Sequence, residues 1–147
     1  MTAAERTLDA ILKISDADSG MFLFVVNRPD RKVADDAKFS GFFTRQLLDA
    51  IAGTERQEVE RDCGGKYLEG EICGLDFDPI TCAQDEPENG YVYRTEKSTA
   101  RRQIITMAWA GRDEVVAAYR MLKQGGSWKL DGVACRPAPQ FNMSLQD

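Results

Sequence analysis

The sequence predicts an α+β domain in which N-terminal helices cover one face of a curved antiparallel sheet. Helical spacing and capping signals fill the first part of the chain, and after Asn89-Gly90, a strong hairpin dipeptide, closely spaced strand patterns take over. Helices first and then a run of antiparallel strands is the order expected of that class. A length of 147 residues suits one domain with its own core, so 1–147 is read as a single unit.

The first helix is marked by a capping-box pattern at Thr2 and Glu5 and by Ala4, Leu8, Ile11 and Leu12 at helical spacing; it stops near Ser19-Gly20. Met21 to Val26 is a short apolar run ended by Asn27-Arg28-Pro29-Asp30. Periodicity does not separate buried helix from strand there, and helix is the expectation adopted. A second helix is expected from Ser40 to Ala52, with Phe39, Phe43, Leu47, Ala50 and Ile51 on one stripe and Gly53 as its stop. Thr54 to Glu88 carries Gly64-Gly65, Gly70, Gly74 and Pro79 and reads as an irregular, cysteine-containing excursion. Strands follow at Tyr91–Lys97, Gln103–Ala110, Asp113–Lys123 and Ser127–Cys135, with reversals at Gly111 and Gly125-Gly126. Val115, Ala118, Tyr119 and Leu122 in the third also fit a helix face, but its close spacing to its neighbours favours a meander. Residues 136–147, with Pro137 and Pro139, read as a short C-terminal extension.

Acidic residues outnumber basic ones by 24 to 19, a balance that repels a phosphate backbone and argues against nucleic acid as a partner. The longest apolar run falls far short of the ~20 residues that a membrane helix needs. No basic region followed by an apolar one opens the chain, so no leader is visible; Met1 is expected to stand where a leader has been removed.

That expectation rests on the cysteines. Cys63, Cys73, Cys82 and Cys135 are even in number, and three of them fall in the Gly-rich excursion, which has little apolar surface with which to hold itself down. Disulfides are the expected state, and with them a periplasmic or secreted location; four reduced thiols in a cytosolic protein are the alternative. Four cysteines allow three pairings, which sequence does not decide; the expected one joins Cys63 to Cys73 and Cys82 to Cys135. No C-x-x-C spacing suggests zinc or a redox pair.

The chain has no histidine, which removes imidazole-based triads, histidine metal sites and the commonest acid-base group. An isomerase or hydrolase would need a carboxylate base and a Tyr hydroxyl in an apolar cavity, for which Asp131, Tyr93 and Tyr119 are the suggestive types. The plainer reading puts Asp131 at a strand end or turn and the tyrosines in packing roles. Tyr93, Trp109, Tyr119, Trp128 and Asp131 together are the candidate ligand pocket on the sheet's inner face. Asp76, Asp78, Asp85, Glu86 and Glu88 offer oxygen ligands, yet their spacing fits no calcium loop. The preferred account is that Leu75, Phe77 and Ile80 anchor this segment while Asp78-Pro79 starts a turn and Asp85 caps backbone amides. Lys97 and Arg101-Arg102 form a small basic patch, most simply a solvated strand end. No cofactor or metal is expected.

Leu75-Asp76-Phe77-Asp78-Pro79, then Ala83-Gln84-Asp85, several strands and a closing Gly126-Ser127-Trp128-Lys129-Leu130-Asp131 carry a family resemblance. From the Phe39–Ala52 helix onward the chain resembles small, often exported bacterial proteins of the nuclear-transport-factor-2-like superfamily. The resemblance implies a cystatin-like cone, with helices packed into the concavity of a strongly bent antiparallel sheet. That superfamily holds both enzymes such as ketosteroid isomerase and non-catalytic binding modules, and no catalytic residue carries over to this chain. The leading expectation is a non-enzymatic envelope or secreted module for a protein partner or small ligand. The alternatives are an isomerase or hydrolase using a carboxylate and Tyr, and a structural domain that pairs as a homodimer.

Overall fold

A computed structural model describes residues 1–18, 20–26, 28, 29, 31, 33, 34 and 36–136. The expected extension beyond Arg136, and Ser19, Asn27 and Asp30 of the expected breaks, lie outside the described residues.

Helix α1 (Ala3–Ala17) closes the capping box read from the sequence: the Glu5 amide donates to the Thr2 hydroxyl at 3.0 Å, and the Thr2 amide donates to the Glu5 carboxylate at 2.8 Å. Its stripe of Ala4, Leu8, Ile11 and Leu12 is wholly buried. The apolar run after it forms a short 3-10 helix, Met21–Val25, that sends Phe22 and Leu23 into the core.

The helix expected over Ser40–Ala52 is two helices, α2 (Ala37–Ser40) and α3 (Arg45–Cys63). Phe39 and Phe43 therefore do not share one helical stripe with Leu47 and Ile51; they meet edge to face, ring centres 4.9 Å apart, through a turn between the helices. Nor does Gly53 stop α3. A glycine inside a helix costs only about 1 kcal/mol, and Ile51, Glu55 and Val59 continue the buried face across it until Gly64, in the left-handed region at φ 68°, ends the helix. The start of the expected excursion is thus helical through Cys63, and the segment from Gly64 to Gly90 contains no helix or strand.

Four antiparallel strands follow in the order β1 (Tyr91–Ser98), β2 (Arg102–Trp109), β3 (Val115–Gln124) and β4 (Ser127–Cys135). The segment with the ambiguous period is a strand, because β2 and β4 pair along both of its edges. Register shifts leave Glu96, Val116 and Asp131 as extra residues in their pairs, and such bulges bend a strand and add twist. Ile105, Met107, Tyr119, Met121, Leu130 and Val133 join α1, Phe39 and Leu47 in one hydrophobic core. Helix α1 packs on β1 and β4, while α3 packs on β4 and the 3-10 helix.

Helix α1 is also clipped to β1 by polar contacts, since Thr95, Tyr93 and Tyr91 donate to Glu5, Asp9 and Asp16 at 2.8, 2.6 and 2.7 Å. Cys63 is bonded to Cys73 and Cys82 to Cys135, and no cysteine is free. Among the described residues no helix is long and apolar enough to cross a membrane.

Candidate functional site

The buried face of α3 turns on a carboxylate. Glu55 lies one helical turn from both Ile51 and Val59, and it is only 2% exposed. A charge at that depth must be paired and fully hydrogen-bonded. Arg28 supplies a two-point contact, Nε to Oε2 at 2.6 Å and Nη2 to Oε1 at 2.8 Å. The Leu75 amide donates to Oε1 at 2.6 Å and the Tyr67 hydroxyl to Oε2 at 2.8 Å, while Arg28 Nη2 also donates to the Leu75 carbonyl at 2.7 Å. Burial alone pushes the Glu55 carboxyl up, but Arg28, the Leu75 amide and the Tyr67 hydroxyl together outweigh it and hold the group below the usual carboxylate range. Burial and the same carboxylate push the Tyr67 hydroxyl up to about 12.

This knot holds down the loop between Cys63 and Leu75. Gly74 passes directly over Glu55: its φ is 90°, and a Cβ there would come within 2.3 Å of a carboxylate oxygen, so only glycine fits. The Cys63–Cys73 bond ties the loop to the end of α3. Between the loop and Arg28 lies a cleft of about 610 Å³, lined by Arg28, Pro29, Tyr67, Leu68, Ile72 and Asp76 among others. A smaller cleft of about 330 Å³ adjoins it, sharing Arg28, Leu75 and Asp76.

None of the five residues of the expected pocket lines either cleft. Each is committed to a different neighbour. Tyr93 donates to Asp9 on α1, and burial, helped by that carboxylate, raises its hydroxyl far above the ordinary 10.0. Tyr119 is wholly buried and donates to the Ile80 carbonyl at 2.7 Å. Trp109 and Trp128 are half-buried and lie under cations, with the Arg112 guanidinium 5.4 Å and the Lys123 ammonium 5.9 Å from the ring centres.

Asp131 lies not at a strand end or turn but inside β4, as the extra residue of a bulge. It accepts from Arg120 Nε at 2.7 Å and from the Thr44 hydroxyl at 2.6 Å. Thr44 is the N-cap of α3, and its amide donates to the Leu130 carbonyl at 3.0 Å, so the cluster fastens α3 to β4. A carboxylate held by a buried guanidinium and a hydroxyl serves that junction, and Asp131 lines neither cleft.

In the acidic segment Leu75 and Ile80 are buried and Phe77 packs on the core, which anchors it. The turn is capped by Asp78, not Asp85: Asp78 Oδ1 accepts from the Ile80 and Thr81 amides at 2.8 and 3.4 Å, and Ser15 donates to its other oxygen. Asp85 is exposed and makes no side-chain hydrogen bond among the described residues. No group of three or more acidic or cysteine side chains among the described residues is placed to hold a metal ion. Lys97 and Arg101 are exposed at the β1–β2 reversal.

Burial raises the Asp78 carboxyl above its ordinary 3.8, against the pull of Ser15 and the two amides, and the nearby Asp16 raises it further. A carboxyl so raised favours the fold when protonated, so its stabilising contribution is present below 3.8 and is lost as pH climbs through the raised value. The variant Asp78→Asn keeps an acceptor for the turn amides, and Ser15 can rotate to accept from the new amide. Thermal melts of both proteins across pH 4 to 7 should show the wild type losing ground to Asp78→Asn as pH rises. A gap independent of pH contradicts this assignment.

Comparison with known proteins returns no match, whether against family models, curated proteins or solved structures. The site is therefore read from this chain's own chemistry. Arg28, Glu55 and Tyr67 are not among the residues that the sequence singles out. The signal was the spacing of Ile51, Glu55 and Val59, which puts a carboxylate on an apolar stripe once the helix is carried past Gly53.

Proposed function

We propose that this protein is a non-enzymatic binding module of an exported compartment, that it belongs to the cone-shaped nuclear-transport-factor-2-like class, and that it holds its partner at the cleft beside the Cys63–Cys73 loop. The observation that carries this reading is a pre-shaped external surface. The loop is pinned by the bridge and by Glu55, yet it presents Leu68 and Ile72 to solvent at 50% and 79% exposure. Ordering costs that weaken most loop-mediated binding are already met in a loop held in this way. Enzymatic use of the inner face finds less support, because Asp131, Tyr93 and Tyr119 are each spent on structural partners and Phe39, Leu8, Ile11 and Met107 fill the space above the sheet. Two disulfides and the absence, among the described residues, of a membrane-spanning helix accord with an oxidising, extracytoplasmic setting.

Native mass spectrometry of the protein isolated gently from its own host tests this reading. A defined additional mass on the wild type, absent from Ile72→Ser produced in the same host, is the expected result. A bound mass that persists unchanged in Ile72→Ser would place binding elsewhere and overturn it.

A further inference from the structure

Resting on the reading that this cleft is the binding site, we infer that its occupant is a basic amphipathic segment of a partner protein, in which a large apolar side chain is flanked by lysine or arginine. Apolar and charged features of the rim point to the same chemistry. Leu68 and Ile72 stand in solvent on a loop closed by a disulfide, and both line the same cleft, which gives it an apolar rim for an occupant to cover. Glu69, Glu71 and Asp76 surround them, all exposed, and none of the three side chains forms an ion pair or hydrogen bond among the described residues.

Arg28 is the only cation among the described residues lining the cleft, and it does not balance these three. Its guanidinium is bound at two points to Glu55, so the pair presents little net charge to an incoming group. Lys66 precedes Tyr67 without lining the cleft, and Arg31 lines the adjoining one. The rim therefore carries negative charge around an apolar centre. An acidic or phosphorylated partner would be repelled, and a wholly apolar one would strip water from three carboxylates without pairing them. A segment carrying both a cation and an apolar anchor satisfies both features. A polypeptide also fits better than a compact small molecule, because Leu68 and Ile72 line the cleft yet stay 50% and 79% exposed, so an occupant has to reach over the rim to cover them.

Three synthetic peptides of equal length test this on the intact, oxidised protein: leucine alternating with lysine, with glutamate and with serine. Amide chemical shifts are followed by NMR for the wild type, for Ile72→Ser, and for the triple variant Glu69→Gln, Glu71→Gln, Asp76→Asn. All these substitutions are at exposed positions, so the variants should fold. The lysine peptide should shift the amides of the Cys63–Asp76 segment, and the other two should leave them unmoved. Each variant should weaken that binding by roughly tenfold. Equal shifts from the glutamate or serine peptide would overturn the charge assignment while leaving the cleft as the binding site. No shift at the segment from any of the three would overturn both. Lysine-peptide binding unchanged in Ile72→Ser and in the triple variant would show mere attraction to the net charge of −5, and would also overturn the inference.

Discussion

Replacing Glu55 by alanine should lower the unfolding free energy by about 3–5 kcal/mol, the loss expected when a buried ion pair is broken from one side. Removing the carboxylate leaves Arg28, whose side chain is 17% exposed, with half-buried charge and no counter-ion in the knot. It also strips the buried Leu75 amide of its acceptor and the Tyr67 hydroxyl of its partner. The effect reaches the Cys63–Cys73 loop because all three contacts run from α3 to the chain on either side of the cleft. Urea unfolding measures the size of the loss, and hydrogen exchange at the Leu75 amide measures its place, with protection there falling more than in β3. Glu55→Gln keeps the shape and part of the acceptor capacity, so it should lose less. A loss under about 1 kcal/mol for Glu55→Ala would mean that the knot is not stabilising in the way its geometry implies.

The two disulfides should differ in weight. Cys82–Cys135 spans 53 residues and Cys63–Cys73 spans 10, and loop-closure entropy in the unfolded chain converts these separations to about 4 and about 3 kcal/mol respectively. The longer bridge has a local task too. Cys82 is the only described non-glycine residue with positive φ, 63°, a strained conformation held by the hydrogen bond its amide donates to the Asp78 carbonyl at 2.8 Å and by the bridge to the end of β4. The paired substitution of Cys82 and Cys135 by serine is therefore expected to reduce stability by about 4 kcal/mol and to loosen the Asp78–Ala83 turn. Serine at Cys63 and Cys73 should cost less in global stability but more in order at the cleft, since that bridge closes the loop bearing Leu68 and Ile72. Denaturation of the two variants side by side gives the ranking; the reverse order would contradict the loop-entropy account.

Much of this molecule is decided by local sequence. The capping box at Thr2 and Glu5, the stripe of Ala4, Leu8, Ile11 and Leu12, and the turn glycines between strands act within a few residues of themselves, so helix α1 and the meander are legible in the order of residues alone. The cysteine count and spacing likewise point to bridges and to their crowding into one region. Where local rules meet a competing tertiary gain, they fail. Gly53 is a helix stop by propensity, but burial of Ile51 and Val59, with Glu55 fully hydrogen-bonded between them, exceeds the cost of one glycine, and the helix runs through. Asp131 and Tyr93 carry the residue types of an acid-base site, yet type does not reveal that Arg120, Thr44 and Asp9 come from other parts of the chain to occupy them.

The candidate site is the extreme case. Arg28, Glu55, Tyr67 and Leu75 are separated by many residues of chain and share no motif, so nothing in their spacing links them. What joins them is the free energy of a buried carboxylate, which must find donors wherever the fold brings them. Sequence alone settled the α+β order, the acidic balance and the absence of histidine chemistry, because these depend on composition and short-range pattern. Tertiary structure alone decided which polar groups are spent internally and which remain exposed on a braced loop, because desolvation is a property of the packed molecule and not of any stretch of its chain.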